Sequence, residues 1–308
     1  MKRLLQSVTI VTLALLTIVL TVQVGKAEWL DGKRIRVPAF PTHGFMAQAS
    51  QPLVQTDLLS DACAVKPFRN KPALRRLPAI QGTLPLSRFR QISASAEPET
   101  PNYTPRETVA LAHPTNFGRR FVEDLDGQPV QNDPVVVIHE TVGSAQSTLN
   151  YFQTPHPSDD DQVSYHSLIR EDGTIVYLVP PTRRAFGAGN SVFSGTKGNE
   201  AVKTNAVFPP SVNNFAYHIS LVTPSDGRGN GSRHSGYTQA QYQSLAWLVA
   251  KTGVSNDRIT THRLVDRSRQ RQDPRSFDVQ TFAKLLALYP KTNDISMQCT
   301  LPAIPREE

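Results

Sequence analysis

The chain has 308 residues, of which 39% are hydrophobic and 19% charged, with 24 prolines, 17 glycines and two cysteines. That length allows one or two domains. The apolar share excludes a wholly disordered chain, and two cysteines exclude a disulfide scaffold or a cysteine-rich zinc module. The net charge of +7 belongs to the N-terminal third, because residues 106–308 carry twenty Lys/Arg against twenty Asp/Glu; the expected folded part therefore lacks the basic face that nucleic-acid binding needs.

Lys2 and Arg3 precede an uncharged run from Leu4 to Gly25. A basic start before a long apolar stretch reads as a membrane-targeting segment. Val24-Gly25-Lys26-Ala27 offers small residues where a signal peptidase cuts, so cleavage after Ala27 would make residues 1–27 a signal peptide. The run, at about 20 residues, is also long enough to stay as a membrane anchor. Both outcomes stay open, and both place the bulk of the chain outside the cytoplasm, in the periplasm or cell envelope. Residues 28–105 hold ten prolines and no sustained period of 2 or 3.6. They read as a Pro-rich extension or linker that crosses the envelope or lies along the domain. Cys63 and Cys299 flank the central region; export permits a disulfide between them, and two free thiols are the alternative.

The regular elements begin near residue 106. Pro134 to His139 is a β-branched run of the kind that forms a strand buried on both faces. Ser164–Arg170 and Thr174–Val179 flank Asp172-Gly173 and read as a hairpin. Phe215–Val222 is a further strand. Thr238-Gln239-Ala240-Gln241 fits a capping box opening a helix with Tyr242, Leu245, Leu248 and Val249 on one face and Gly253 as its stop. Arg258–His262 reads as a short strand, and Ser276 as the cap of a last helix bearing Val279, Phe282 and Leu286. The expected fold is α/β: a mixed central sheet flanked by helices, as one domain over 106–292, followed by a C-terminal tail over 293–308.

Three side chains suggest chemistry. His139 ends a buried strand, where open α/β sheets place their ligands. His262 ends a short apolar segment, and Asp273 follows eleven residues later in a charged loop. Two imidazoles and a carboxylate can hold zinc and leave a fourth position for water. A lone histidine at a strand end is more often structural. His166 and His218, in strand-like segments, either face a cleft or bond to backbone. Glu140 points to the face opposite His139 and reads as a salt-bridge or capping residue. Asp159-Asp160-Asp161 lacks EF-hand spacing, and Gly227, Gly229 and Gly231 lack the Lys-Ser/Thr of a phosphate cradle.

Several segments together resemble the N-acetylmuramoyl-L-alanine amidase type 2 family, which shares its fold with peptidoglycan recognition proteins. They are Val136-Val137-Ile138-His139-Glu140-Thr141, Val163 to Gly173, Arg184 to Ser191, Tyr237 to Tyr242, and Thr261-His262 followed by Gln272-Asp273-Pro274. The resemblance spans about 130–290, in family order. It implies a zinc enzyme with His139, His262 and Asp273 as metal ligands. It also implies Tyr165 and Arg271 as catalytic groups stabilising the oxyanion. The implied partner is peptidoglycan or soluble muropeptides, cut by a monomer at the amide between N-acetylmuramic acid and L-alanine; the N-terminal run adds the membrane as a partner if it stays uncleaved. Three features depart from the family pattern. Ser220 and Val222 stand at positions where many members carry an acid, Gly187 replaces a loop histidine, and the His262–Asp273 spacing is slightly long. These departures keep a non-catalytic peptidoglycan-binding module as the rival reading, with an anchored docking protein as a third.

Overall fold

The computed structural model describes residues 60–69, 79–80, 82–92, 102–229 and 231–301. A six-stranded mixed sheet runs in the order β1 (Glu107–Val109), β5 (Ile175–Tyr177), β4 (Ser167–Ile169), β9 (Ala216–Leu221), β3 (Val135–Glu140) and β10 (Ile259–Thr261). Every neighbouring pair is parallel except β4 and β5, the expected hairpin, whose turn Gly173 closes at φ +81°. Two ribbons lie outside the sheet: β2 (Phe117–Arg119) with β6 (Arg183–Ala185), and β7 (Phe193–Gly195) with β8 (Gly198–Glu200).

The continuous apolar runs explain the two central strands. All six residues of β3 and all six of β9 are buried, which is how parallel strands covered on both faces read in sequence. The period of two then sorts the side chains. Val136 and Ile138 join Tyr217, Ile219 and Leu221 beneath α2 (Gln239–Lys251) and α4 (Val279–Leu286). Val135 and Val137 point the other way. On that second face α1 (Ala145–Gln153) adds Leu149 and Phe152 against Leu168 and Val176. His139 and Glu140 inherit opposite faces from this alternation.

Helix α2 starts at the expected capping box: Thr238 accepts from Gln241 N–H, and the Gln241 side chain accepts from Thr238 N–H. The pair stabilises the helix start by about 1 kcal/mol. The last helix departs from expectation. Asp278, not Ser276, caps α4 by accepting from Gln280 and Thr281 N–H. Ser276 has φ +52° and its hydroxyl accepts from His234 N–H instead. Val279, expected on the buried face, is exposed. At the other edge, β10 stops at Thr261, and His262 opens a single-turn helix, α3 (His262–Val265), rather than ending the strand.

The described pieces of 28–105 lie along the domain. Phe89 is buried and stacks on Tyr177 with ring centroids 5.2 Å apart. Arg90 pairs with Glu107 at 2.6 Å. Cys63 and Cys299 form a disulfide across 236 residues of sequence. Cys63 N–H donates to Thr300 O, and Ala64 N–H to Arg120 O. A link closing so long a loop stabilises by roughly 5 kcal/mol on the chain-entropy account. The expected membrane-targeting segment, the rest of the extension and residues 302–308 lie outside the described residues. No helix among the described residues is long and apolar enough to cross a membrane.

Candidate metal centre

Strand pairing brings the first two donors together. Thr261 of β10 is in register with Ile138 of β3, so the next residues on each chain, His262 and His139, stand level at the C-terminal edge. Asp273 arrives from the loop between α3 and α4. That loop is longer than a simple turn and curls around Asp266, whose carboxylate accepts from the N–H groups of Ser268, Gln270 and Arg271. Asp273 O accepts from Arg263 N–H at 2.9 Å, which fixes the aspartate over the start of α3.

One donor atom from each of His139, His262 and Asp273 lies within 4.8 Å of the others. The Asp273 oxygens stand 3.3 Å from His139 Nδ1 and 3.0 Å from His262 Nδ1. Zinc at about 2.0–2.1 Å from each donor of a tetrahedron would set neighbouring donors roughly 3.3 Å apart. His139 Nδ1 is buried and, apart from the Asp273 oxygen at 3.3 Å, has no hydrogen-bond partner, as a nitrogen reserved for a metal would be. The donor set and its spacing therefore fit zinc.

Burial dominates the electrostatics. Desolvation pushes His139 down from 6.5 to about 4, against the opposing pull of Asp273. Burial alone would raise the Asp273 carboxyl, but its hydrogen bonds and charge interactions with His139 and His262 hold it well below the usual carboxylate range. His166 and His218 are also lowered by burial, His166 further by the Arg120 cation and His218 further by His139. The sign for the metal-free protein follows. Between pH 6.5 and 4 the unfolded chain takes up the His139 proton and the folded one does not, so stability falls as pH falls through that window, by on the order of 3 kcal/mol for His139 alone. Asp273 acts with the same sign at lower pH: its contribution is present above 3.8 and is lost as pH falls below it. Urea midpoints of chelator-treated protein are expected to drop steadily from pH 7 to 4.5, and equal midpoints would show that the imidazoles are not buried neutral.

Tyr165 packs beside His139 with ring centroids 4.6 Å apart, and edge-on to Phe152 at 5.3 Å. Burial and the Asp273 charge raise its pKa above the usual phenol range, while the Arg271 charge works against the rise. It is therefore a neutral donor at pH 7. Ser220 is level with His139 across the β3–β9 pair, so the register puts a small hydroxyl, not an acid, next to the candidate ligand. Arg271 is exposed, and its charge is felt at both His139 and Tyr165. His262 and Arg271 line a groove of about 980 Å³, with Arg184, Phe186, Asn213 and Phe68 among its other walls. Tyr165 lines a smaller hollow of about 270 Å³ with Thr141, Gly143 and Phe152.

Residues 128–276 match the family model described as N-acetylmuramoyl-L-alanine amidase. The domain belongs to that family. Two curated relatives carry the name 1,6-anhydro-N-acetylmuramyl-L-alanine amidase AmpD. The protein from Salmonella typhimurium strain LT2 is 33% identical over 131 residues, which cover 41% of this chain and 59% of that protein. The one from Citrobacter freundii is 31% identical over 129 residues, covering 41% and 58%. The chain thus spans under three fifths of the length of the curated relatives it matches. A crystal structure of a selenomethionine AmpD derivative aligns with 60% of this chain and 96% of its own, at 24% identity and a TM-score of 0.41.

Within this amidase-family domain the structure brings His139, His262, Asp273 and Tyr165 to one place and sets Arg271 at the mouth. Val222 is buried with the apolar core of the α1 face, so it contributes nothing to the site. Glu140 faces away, as its place in the strand requires. Its carboxylate accepts from Arg275 Nε at 2.6 Å and Arg275 N–H at 2.9 Å, and from Thr223 Oγ1 at 3.0 Å. The residue that sequence reasoning undervalued is His218, whose Nδ1 lies 2.9 Å from His139 Nε2. Period-two counting along β9 puts His218 and Ser220 on one face, and only the β3 register reveals that this face is the one His139 shares.

Proposed function

We propose that the domain is a zinc-dependent amidase that hydrolyses the amide between the lactyl group of N-acetylmuramic acid and L-alanine in peptidoglycan or its soluble fragments. The observation that carries this is the convergence of three metal-type donors, one of which lines a groove of about 980 Å³, in a domain of the amidase family. His139 Nδ1, His262 Nδ1 and an Asp273 oxygen would hold the ion. Bound there, zinc supplies Lewis-acid polarisation and a nucleophile made from water at neutral pH.

The chain's own residues do the rest. Asp273 presents a carboxylate that stays ionised at any working pH, so the ligand set does not lose its charge. Tyr165 keeps its proton and donates to the oxygen that becomes negative as the carbonyl is attacked. Arg271 adds a cation in the lining of the same groove as His262, near where that charge develops. The groove walls, with Arg184 and Asn213 among them, offer polar contacts to a carboxylate-bearing peptide. The Cys63–Cys299 disulfide supports placement in an oxidising compartment outside the cytoplasm, where this substrate is built into the wall.

The deciding experiment is an assay of purified protein on muropeptides and on purified wall, before and after chelation and with zinc restored. Stem-peptide release that stops on chelation and returns with zinc is expected. Release that persists after thorough metal removal overturns the mechanism. Tight binding to the wall without any release supports the non-catalytic module instead.

A further inference from the structure

A zinc-binding histidine is steadied by what its second ring nitrogen meets, commonly a carboxylate, a backbone carbonyl or water. Here His139 Nε2 meets another imidazole: His218 Nδ1 at 2.9 Å, with both rings wholly buried. We propose that His218 is a positioning residue that sets the orientation and tautomer of His139 for metal binding, and that Gly187 provides the room for it. The proposal rests on the zinc reading above.

The proton arrangement is forced once a metal takes His139 Nδ1. That nitrogen must offer a lone pair, so the His139 proton sits on Nε2 and donates to His218 Nδ1. His218 then carries its own proton on Nε2. Its strand position is fixed in turn, because its backbone N–H donates to His166 Nδ1 at 2.9 Å. This leaves the His166 proton on Nε2, 3.1 Å from Arg183 O. The rings form a file: His166 and His218 lie nearly parallel, 9° apart with centroids 5.8 Å apart, and His218 to His139 is 5.1 Å.

Two further observations support a selected arrangement. A Cβ on residue 187 would lie 2.5 Å from His218 Nδ1 and 2.6 Å from its Cγ, so only glycine admits the ring. The loop position where the family resemblance expects a histidine is therefore emptied here, and the space is taken by a histidine from β9. Second, His218 Nε2 is buried without a hydrogen-bond partner. A buried donor left without an acceptor opposes folding. Stability alone does not account for a buried ring that carries this cost; the bond to His139 does.

The test uses the full chain and measures zinc affinity by competition with a chromophoric chelator. His218→Ala is expected to bind zinc about 10–100-fold more weakly. His218→Asn puts an acceptor oxygen near the place of Nδ1 and is expected to stay within about threefold of wild type. Nitrogen-15 spectra of the zinc-loaded wild type are expected to show His139 protonated on Nε2 and His218 bare on Nδ1, a readout that needs no variant to fold. A folded His218→Ala with wild-type affinity, a His218→Asn as weak as His218→Ala, or a proton on His218 Nδ1 each overturns the positioning role while leaving zinc binding in place. A wild-type protein that takes up no zinc overturns both readings.

Discussion

Asp273→Ala is expected to abolish stem-peptide release while leaving the domain folded. Asp273 is the one charged donor of the three, and it is the group both imidazoles face, at 3.0 Å and 3.3 Å. Without it two neutral histidines remain, one at a strand end and one opening a single turn of helix, too few to hold the ion in competition with water. A bound ion provides several kcal/mol of transition-state stabilisation, so its loss lowers the rate by about 10³-fold or more. The loop stays in place without this carboxylate, although the metal-free protein loses some stability, because Asp266 and the Arg263–Asp273 backbone bond hold it. The checks are zinc content, circular dichroism and release of stem peptides from muropeptides. A variant that retains a stoichiometric ion and more than about a tenth of the activity would remove Asp273 from the ligand set, given the tenfold-per-1.4 kcal/mol scale of such losses.

Glu140→Ala is expected to be the most destabilising of the single changes near the site. The Glu140 side chain has no exposed surface, and its oxygens gather Arg275 Nε and N–H, Thr223 Oγ1 and, at 3.2 Å, His234 Nε2. Arg275 also donates to the carbonyls of Gly227, Gly229 and Gly231, so one carboxylate ties the end of β3 to the 223–236 loop and to the segment that follows Asp273. Truncating one partner of a buried pair strands the other charge and costs about 3–5 kcal/mol. For a domain of this size that lowers the melting temperature by on the order of 10 °C. Thermal unfolding measures it, and a loss below about 1 kcal/mol would contradict the burial of the pair. The double change Glu140→Met with Arg275→Met is expected to recover part of the loss, since no buried cation is left unpaired.

The parts of this fold that could be read from the sequence are those whose cause is local. The β-branched run at Pro134–His139 gave β3 and the strand-like segment Phe215–Val222 gave β9 to within a residue or two, Asp172-Gly173 gave the hairpin, and the Thr238 box gave the start of α2. Strand β1 and both ribbons are three-residue pieces, too short for a period to mark them, and the partners of β1 and β2 lie far away in sequence. Helix α1 has only Leu149 and Phe152 on its buried side, a weak stripe for nine residues. Phe89 sits in a Pro-rich stretch and is core only because Tyr177 waits for it. At the site, His139, His262, Asp273 and Tyr165 were legible through the family resemblance. Their convergence, and the bond from His218, depend on the β3–β9–β10 register, which no single segment encodes.

The staple between Cys63 and Cys299 turns the amidase-family domain into a covalent ring. Everything from the first described turn to the tail, the three candidate ligands included, lies inside that ring. Backbone cleavage at an outlying loop such as the one bearing Val207, 84% exposed, would yield pieces still fastened to one another. That topology gives the domain persistence against proteolysis: a single nick changes its connectivity without letting either half diffuse away.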